Sequence, residues 1–204
     1  MAFTDELVFY LFTLAFSGLL LAYFMTDAYL DYRKGKMEIK KRLESLSLPL
    51  LLLGGYLLVI GVVSQFTWFL PGAYDILFFD PIVAFGLILI AFSLSARYDV
   101  ASKYVGFMAL LFGIMTVLYG VFGYNIGLTK EPLEFLALFV LFGASGIMTF
   151  PATLIIDNFP RTKSAMPKYW HFFLAVLWLL LIFAGAAAFT IAVGALPAHL
   201  ANPP

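Results

Sequence analysis

Two histidines, His171 and His199, and no cysteine leave this chain few groups for covalent or metal chemistry. The lack of Cys removes disulfides, thiolate metal sites, Fe–S clusters and thiol nucleophiles. The two His stand at opposite ends of the last long apolar stretch, a membrane's width apart, so they cannot ligate one haem iron between them. Their number is also too small for a His-rich copper or zinc site. His171, beside Trp170 and Lys168, reads as an interfacial residue. No nucleophile–base pair, phosphate-binding loop or metal-ligand spacing occurs in the sequence. The expectation is a chain without a catalytic or metal site.

What remains is a set of carboxylates, aromatics and amides near one end of the apolar stretches: Gln65, Tyr74, Asp75, Asp80, Tyr119, Tyr124, Asn125, Glu131, Glu134 and His199. Carboxylates partly buried near a bilayer bind cations or carry protons. The plainer use is structural. Asp80-Pro81 and Glu131-Pro132 each read as an acidic N-cap followed by Pro at the first helical position, where no donor is needed and a carboxylate meets free N–H groups. Glu134 falls inside the first turn of its helix, which neither capping nor loop solvation accounts for. Asp80 and Glu134 are therefore expected to face the protein interior, with Asp75 in a wetter loop. Deeper hydroxyls (Ser93, Ser95, Thr116, Ser145, Thr149) can bond back to their own helix carbonyls. The Trp178 indole N–H calls for an acceptor on a neighbouring helix. With 23 Phe, the interior also leaves room for a bound lipid or quinone, although no cofactor is called for.

These residues must be positioned by membrane-spanning helices. Charged residues make up 12% of the chain and hydrophobic ones 63%, whereas a soluble domain carries about 25% charged residues. Apolar runs at 6–26, 48–70, 77–96, 104–124, 133–156 and 170–195 each hold about the 20 residues a helix needs to cross the hydrocarbon. They lack the alternation of barrel strands. Eleven of the twelve Lys and Arg fall in alternate gaps, at 33–42, 97–103 and 161–168, and the twelfth is Lys130. Basic residues stay on the cytoplasmic side. The expected fold is thus an all-α, polytopic, six-span bundle arranged as three hairpins, with both termini outside a prokaryotic plasma membrane. The first run has no basic n-region and no small-residue cleavage site, and it reads as a retained span.

Three details refine this picture. Gly35 breaks the chain after the first span, and Met37, Ile39, Leu43 and Leu46 then share one face amid basic residues. Residues 36–47 thus read as a cytoplasmic interfacial helix. The two Asp/Glu-Pro starts make 48–96 and 104–156 look like parallel repeats. Pro151 removes a donor and frees the carbonyl of Ile147, predicting a helix bend. The small residues of runs 4, 5 and 6 imply close helix approach.

The stretch Phe66-Thr67-Trp68-Phe69-Leu70-Pro71-Gly72-Ala73-Tyr74-Asp75-Ile76, with Phe79-Asp80-Pro81, Tyr119-Gly120 through Gly127 and Phe150-Pro151-Ala152-Thr153, resembles an uncharacterised family of archaeal and bacterial six-span proteins. The resemblance implies a six-helix fold and supplies no activity. The functional expectation rests on the residues alone: a non-catalytic accessory or scaffold subunit of a larger membrane complex, such as a respiratory one. The alternative is a small-solute or ion carrier using the acidic and aromatic cluster as an outward vestibule. Expected partners are the bilayer and other membrane subunits or further copies of the chain. A net charge of zero gives no reason to expect nucleic acid.

Overall fold

Lipid cannot satisfy an open backbone, so apolar runs of this length close their hydrogen bonds within helices. A computed structural model describes residues 6–35, 39–158 and 167–201, leaving out the side chains of Glu6, Lys40, Ala198 and His199. Among these residues the chain is all-α. The helices are α1 (Glu6–Arg33), α2 (Ile39–Thr67), α3 (Tyr74–Arg97), α4 (Ser102–Asn125), α5 (Pro132–Asn158) and α6 (Lys168–Ala201). All six are long and apolar enough to cross a membrane. Each packs on its neighbours in sequence and α1 meets α6, so the helices close into a ring. The most intimate pairs are α2 with α3, α4 with α5, and α1 with α6.

Each pair is built on glycines that face each other. A Cβ at Gly54 would lie 2.8 Å from the carbonyl oxygen of Gly86. One at Gly113 would lie 2.5 Å from the carbonyl oxygen of Gly143, and one at Gly185 would lie 3.0 Å from that of Ala15, beside Gly18. Lipid offers no hydrophobic drive between helices, so backbone-close crossings supply the dispersion contacts that hold such pairs together.

Two helix starts differ from those expected. Ile39–Leu46 do not form a separate interfacial helix: α2 runs unbroken from Ile39 to Thr67 through Pro49, while residues 36–38 lie outside the described set. The apolar stripe that suggested a lipid-facing helix is turned inward. Leu43 and Leu46 are buried in the main core with Leu50 and Leu57, and Ile39 packs on Ile155. Likewise α3 starts at Tyr74, so Asp80 and Pro81 lie inside the helix and Asp80 is not its N-cap. Starting early lets Leu77, Phe78 and Phe79 bury against Tyr10 and Phe139 in that same core. Pro132 does open α5, directly after Glu131. Pro151 sits within α5, which continues to Asn158.

The connections are tied down by specific bonds. α4 ends in a Schellman turn, with Gly127 at φ 62°, Gly127 N–H donating to Tyr124 O (3.0 Å) and Leu128 N–H to Gly123 O (3.0 Å). At its start Ala101 has no capping side chain. Asp157 of α5 takes that role: Ser102 N–H and Lys103 N–H donate to its two carboxylate oxygens at 2.9 and 2.8 Å. A carboxylate there satisfies two orphan donors and meets the positive end of the helix dipole. Between α1 and α2, Arg42 bridges Asp27 and Asp31.

Candidate functional site

At the end of the bundle opposite the basic connections, three helices converge on one carboxylate. Gln65 Nε2 (α2) donates to Asp80 Oδ1 at 2.6 Å, and Tyr119 OH (α4) donates to Asp80 Oδ2 at 2.5 Å. Asp80 lies two turns into α3 and is partly buried. One residue along on each partner helix, Phe79 packs edge-on against Tyr10 (5.3 Å), and the Tyr10 hydroxyl pairs with Ser64 Oγ (3.0 Å). Tyr10 and Ser64 are wholly buried. These two hydrogen bonds tie α2, α3 and α4 together.

Of the ten residues expected to gather at this end, Gln65, Asp80 and Tyr119 meet through hydrogen bonds, the only ones to do so among the described residues. Tyr74 stacks on Phe78 (6.2 Å, 14°). Asp75, expected in a wet loop, is 1% exposed and accepts the Leu70 N–H at 3.1 Å, closing the α2–α3 turn. Glu131 is exposed at the start of α5, its carbonyl accepting the Phe135 N–H (3.2 Å). Tyr124 and Asn125 are exposed. Glu134, expected to face inward, is exposed as well. Leu138, four residues on along the same face, and Phe139 are buried, whereas Glu134 in the first turn of α5 stays exposed. The His199 side chain lies outside the described residues.

The basic end holds the larger space. A cavity of about 570 Å³ opens between α1, α2, α5 and α6, with Phe92 of α3 as part of its wall. Leu21, Phe24, Leu43, Leu50, Leu174 and Leu177 make it overwhelmingly apolar. A second space at the bundle centre amounts to only about 100 Å³. Pockets for drug-sized ligands run from about 300 to 1,000 Å³, so the first is a ligand-sized chamber and the second is a packing gap.

Polar groups in the chamber lining are few. Trp178 Nε1 donates to Thr26 Oγ1 (2.9 Å), which in turn donates to the Ala22 carbonyl (3.0 Å), so the indole finds its acceptor on α1. The His171 ring lies against Tyr29 (6.1 Å) and Tyr32 (5.7 Å). Its Nδ1 is buried and has no hydrogen-bond partner among the described residues. Sequence reasoning placed His171 at an interface and did not see this chamber. The available signal was the i, i+3 and i, i+4 spacing of Met25, Ala28, Tyr29 and Tyr32 along α1, which puts them on one face.

Other deep hydroxyls do two different things. Thr116, Ser145 and Thr149 bond back to their own helices. Ser93 instead donates across to the Ser47 carbonyl of α2 (2.7 Å), within reach because Gly54 and Gly86 bring α2 and α3 so close. Among the described residues no group of three or more His, Asp or Glu is arranged to hold a metal ion.

Six apolar helices of membrane-crossing length, closed into a ring on glycine crossings, define an all-α polytopic membrane protein. A family model described as "Protein of unknown function (DUF981)" matches residues 1–202, and the chain belongs to that family. No curated protein and no solved structure matches the chain.

Proposed function

We propose that this protein is a non-catalytic subunit of a membrane assembly that holds the apolar tail of a lipid-like molecule in the chamber at its basic end. The carrying observation is the chamber itself: about 570 Å³ of apolar space framed by four helices. In a bundle otherwise packed to glycine contact, empty apolar volume forfeits dispersion energy unless something fills it. A hydrocarbon tail fills it without burying an unpaired polar group. The setting we infer is a prokaryotic-type plasma membrane with both termini outside, which places the chamber in the cytoplasmic leaflet. The distribution of Lys and Arg supports that orientation.

Purification from the native membrane, solvent extraction and mass spectrometry should find one apolar-tailed compound in stoichiometric amount, together with partner subunits. Ala28→Phe combined with Ala152→Phe, which fills the chamber, should purify folded and empty. Equal ligand content in the filled variant would overturn the reading.

A second reading, carriage of an ion or small solute, draws on Asp80. A carboxylate partly buried among three helices is the kind of group that binds cations. Against it, each Asp80 oxygen already accepts a hydrogen bond, and the exposed Glu134 adds nothing to a vestibule. Flux in proteoliposomes that vanishes with Asp80→Asn would favour the carrier. Unchanged flux with that variant would remove its site.

A further inference from the structure

We propose that the molecule held in the chamber is a quinone: a neutral ring bearing carbonyl oxygens, with an apolar isoprenoid tail, its head seated at His171. This rests on the chamber reading above and specifies which end of the ligand is recognised and by what.

The argument starts from His171 Nδ1, a buried ring nitrogen with no hydrogen-bond partner among the described residues. Leaving a buried polar atom unpaired is costly. It lies in the wall of an apolar space, so a ligand group is the natural partner. Neutral imidazole can carry its proton on Nδ1 and donate, which suits a carbonyl acceptor. Tyr29 and Tyr32 stand against the imidazole with centroids 6.1 and 5.7 Å away and 6.4 Å from each other, forming an aromatic wall for a flat ring.

The chamber wall itself carries no Lys, Arg, Asp or Glu among the described residues. Arg42, beside it between α1 and α2, is engaged by Asp27 and Asp31. A neutral head suits such a lining. The volume agrees: 570 Å³ lies mid-range for a ligand of ring-plus-short-chain size. The tail would run toward Leu21 and Leu177, deeper in the bundle.

The test uses the full chain in detergent with two probes: a naphthoquinone carrying a short isoprenoid tail, and a ring-free isoprenoid alcohol of matched length. Binding of the first is read by tryptophan quenching, binding of the second by its competition with the first. His171→Phe keeps a ring and removes the nitrogen. His171→Asn puts an amide where Nδ1 was. Both are checked for folding by thermal unfolding. The expected result is that His171→Phe weakens the quinone about tenfold, the scale of one hydrogen bond. His171→Asn should restore most of that affinity, and the alcohol should be indifferent to both variants. If the alcohol and the quinone both bind and neither variant changes the quinone's affinity, the head assignment is overturned while the tail chamber stands. If neither probe binds the wild-type chain, the chamber reading falls and the quinone with it.

Discussion

Replacing Gly113 with Ala adds one methyl at the tightest backbone crossing of α4 and α5. That Cβ would stand 2.5 Å from the carbonyl oxygen of Gly143, where ordinary contact begins at 3.4 Å, a shortfall of about 0.9 Å. It would also meet Ile147 N at 2.8 Å and Gly146 C at 3.1 Å. All three are backbone atoms, so no side chain can swing away and the helices themselves must separate. A gap of 0.5–1 Å forfeits about a quarter to a half of each dispersion contact it opens. The neighbouring contacts at Gly143 and Gly146 open together, since a Cβ at either would also strike α4 backbone within 2.8 Å. Overpacking of this kind costs about 1–3 kcal/mol. Gly55→Ala is the control, because a Cβ there meets nothing within 4 Å. It should be neutral or stabilising, as Ala outranks Gly inside a helix by up to about 1 kcal/mol. Reversible unfolding in mixed micelles of increasing SDS fraction, followed by far-UV circular dichroism, compares the two. Gly113→Ala combined with Gly143→Ala should cost less than the sum of the singles, because one separation relieves both clashes. If Gly113→Ala unfolds at the same SDS fraction as Gly55→Ala, the glycine crossing is not what holds α4 to α5.

Three further outcomes follow from the geometry. Asp80→Ala strands the Gln65 amide and the Tyr119 hydroxyl and should destabilise by about 1–3 kcal/mol per unpaired group, measured by the same unfolding series, while Asp80→Asn, which can still pair with both, recovers most of it. Asp157→Ala, which uncaps α4 from another helix, should cost about 0.5–2 kcal/mol, and Asp157→Asn less, since the amide keeps one acceptor oxygen while losing the second hydrogen bond and the charge–dipole part; equal stability of all three forms would show that water caps α4 as well. Single cysteines in place of Lys34 and Leu200, both exposed, should react with a membrane-impermeant maleimide from opposite faces of the bilayer, and labelling from the same face would refute the six-span topology with both termini outside.

Several of these features were readable before any coordinates. Glu131-Pro132 announced the start of α5 because the preference of Pro for a first helical position is local. The same reasoning failed at Asp80-Pro81, where burial of Leu77, Phe78 and Phe79 draws the helix start back to Tyr74. Trp178 was expected to find an acceptor on a neighbouring helix, and only packing names it as Thr26. Residues 39–46 carried an amphipathic stripe that suits a lipid surface and a protein core equally well. α2 continues through them and buries Leu43 and Leu46. Asp157 gave no sign of its role, since the helix it caps lies 54 and 55 residues earlier in the chain.

The six spans and the alternation of basic ends are properties of the sequence by itself, because hydropathy and charge accumulate residue by residue along a segment. Which polar side chains meet is a different kind of fact. These helices are apolar nearly all round, so no periodic stripe says which face turns inward, and each added residue rotates the side chain by a further 100°. The crossings at Gly54–Gly86, Gly113–Gly143 and Gly18–Gly185 set those rotations. They bring Gln65 and Tyr119 to Asp80, leave Glu134 outside, and open at the basic end the chamber that His171 faces. Only the tertiary structure decides this, because contacts between helices depend on rotation and separation, quantities that no single segment encodes.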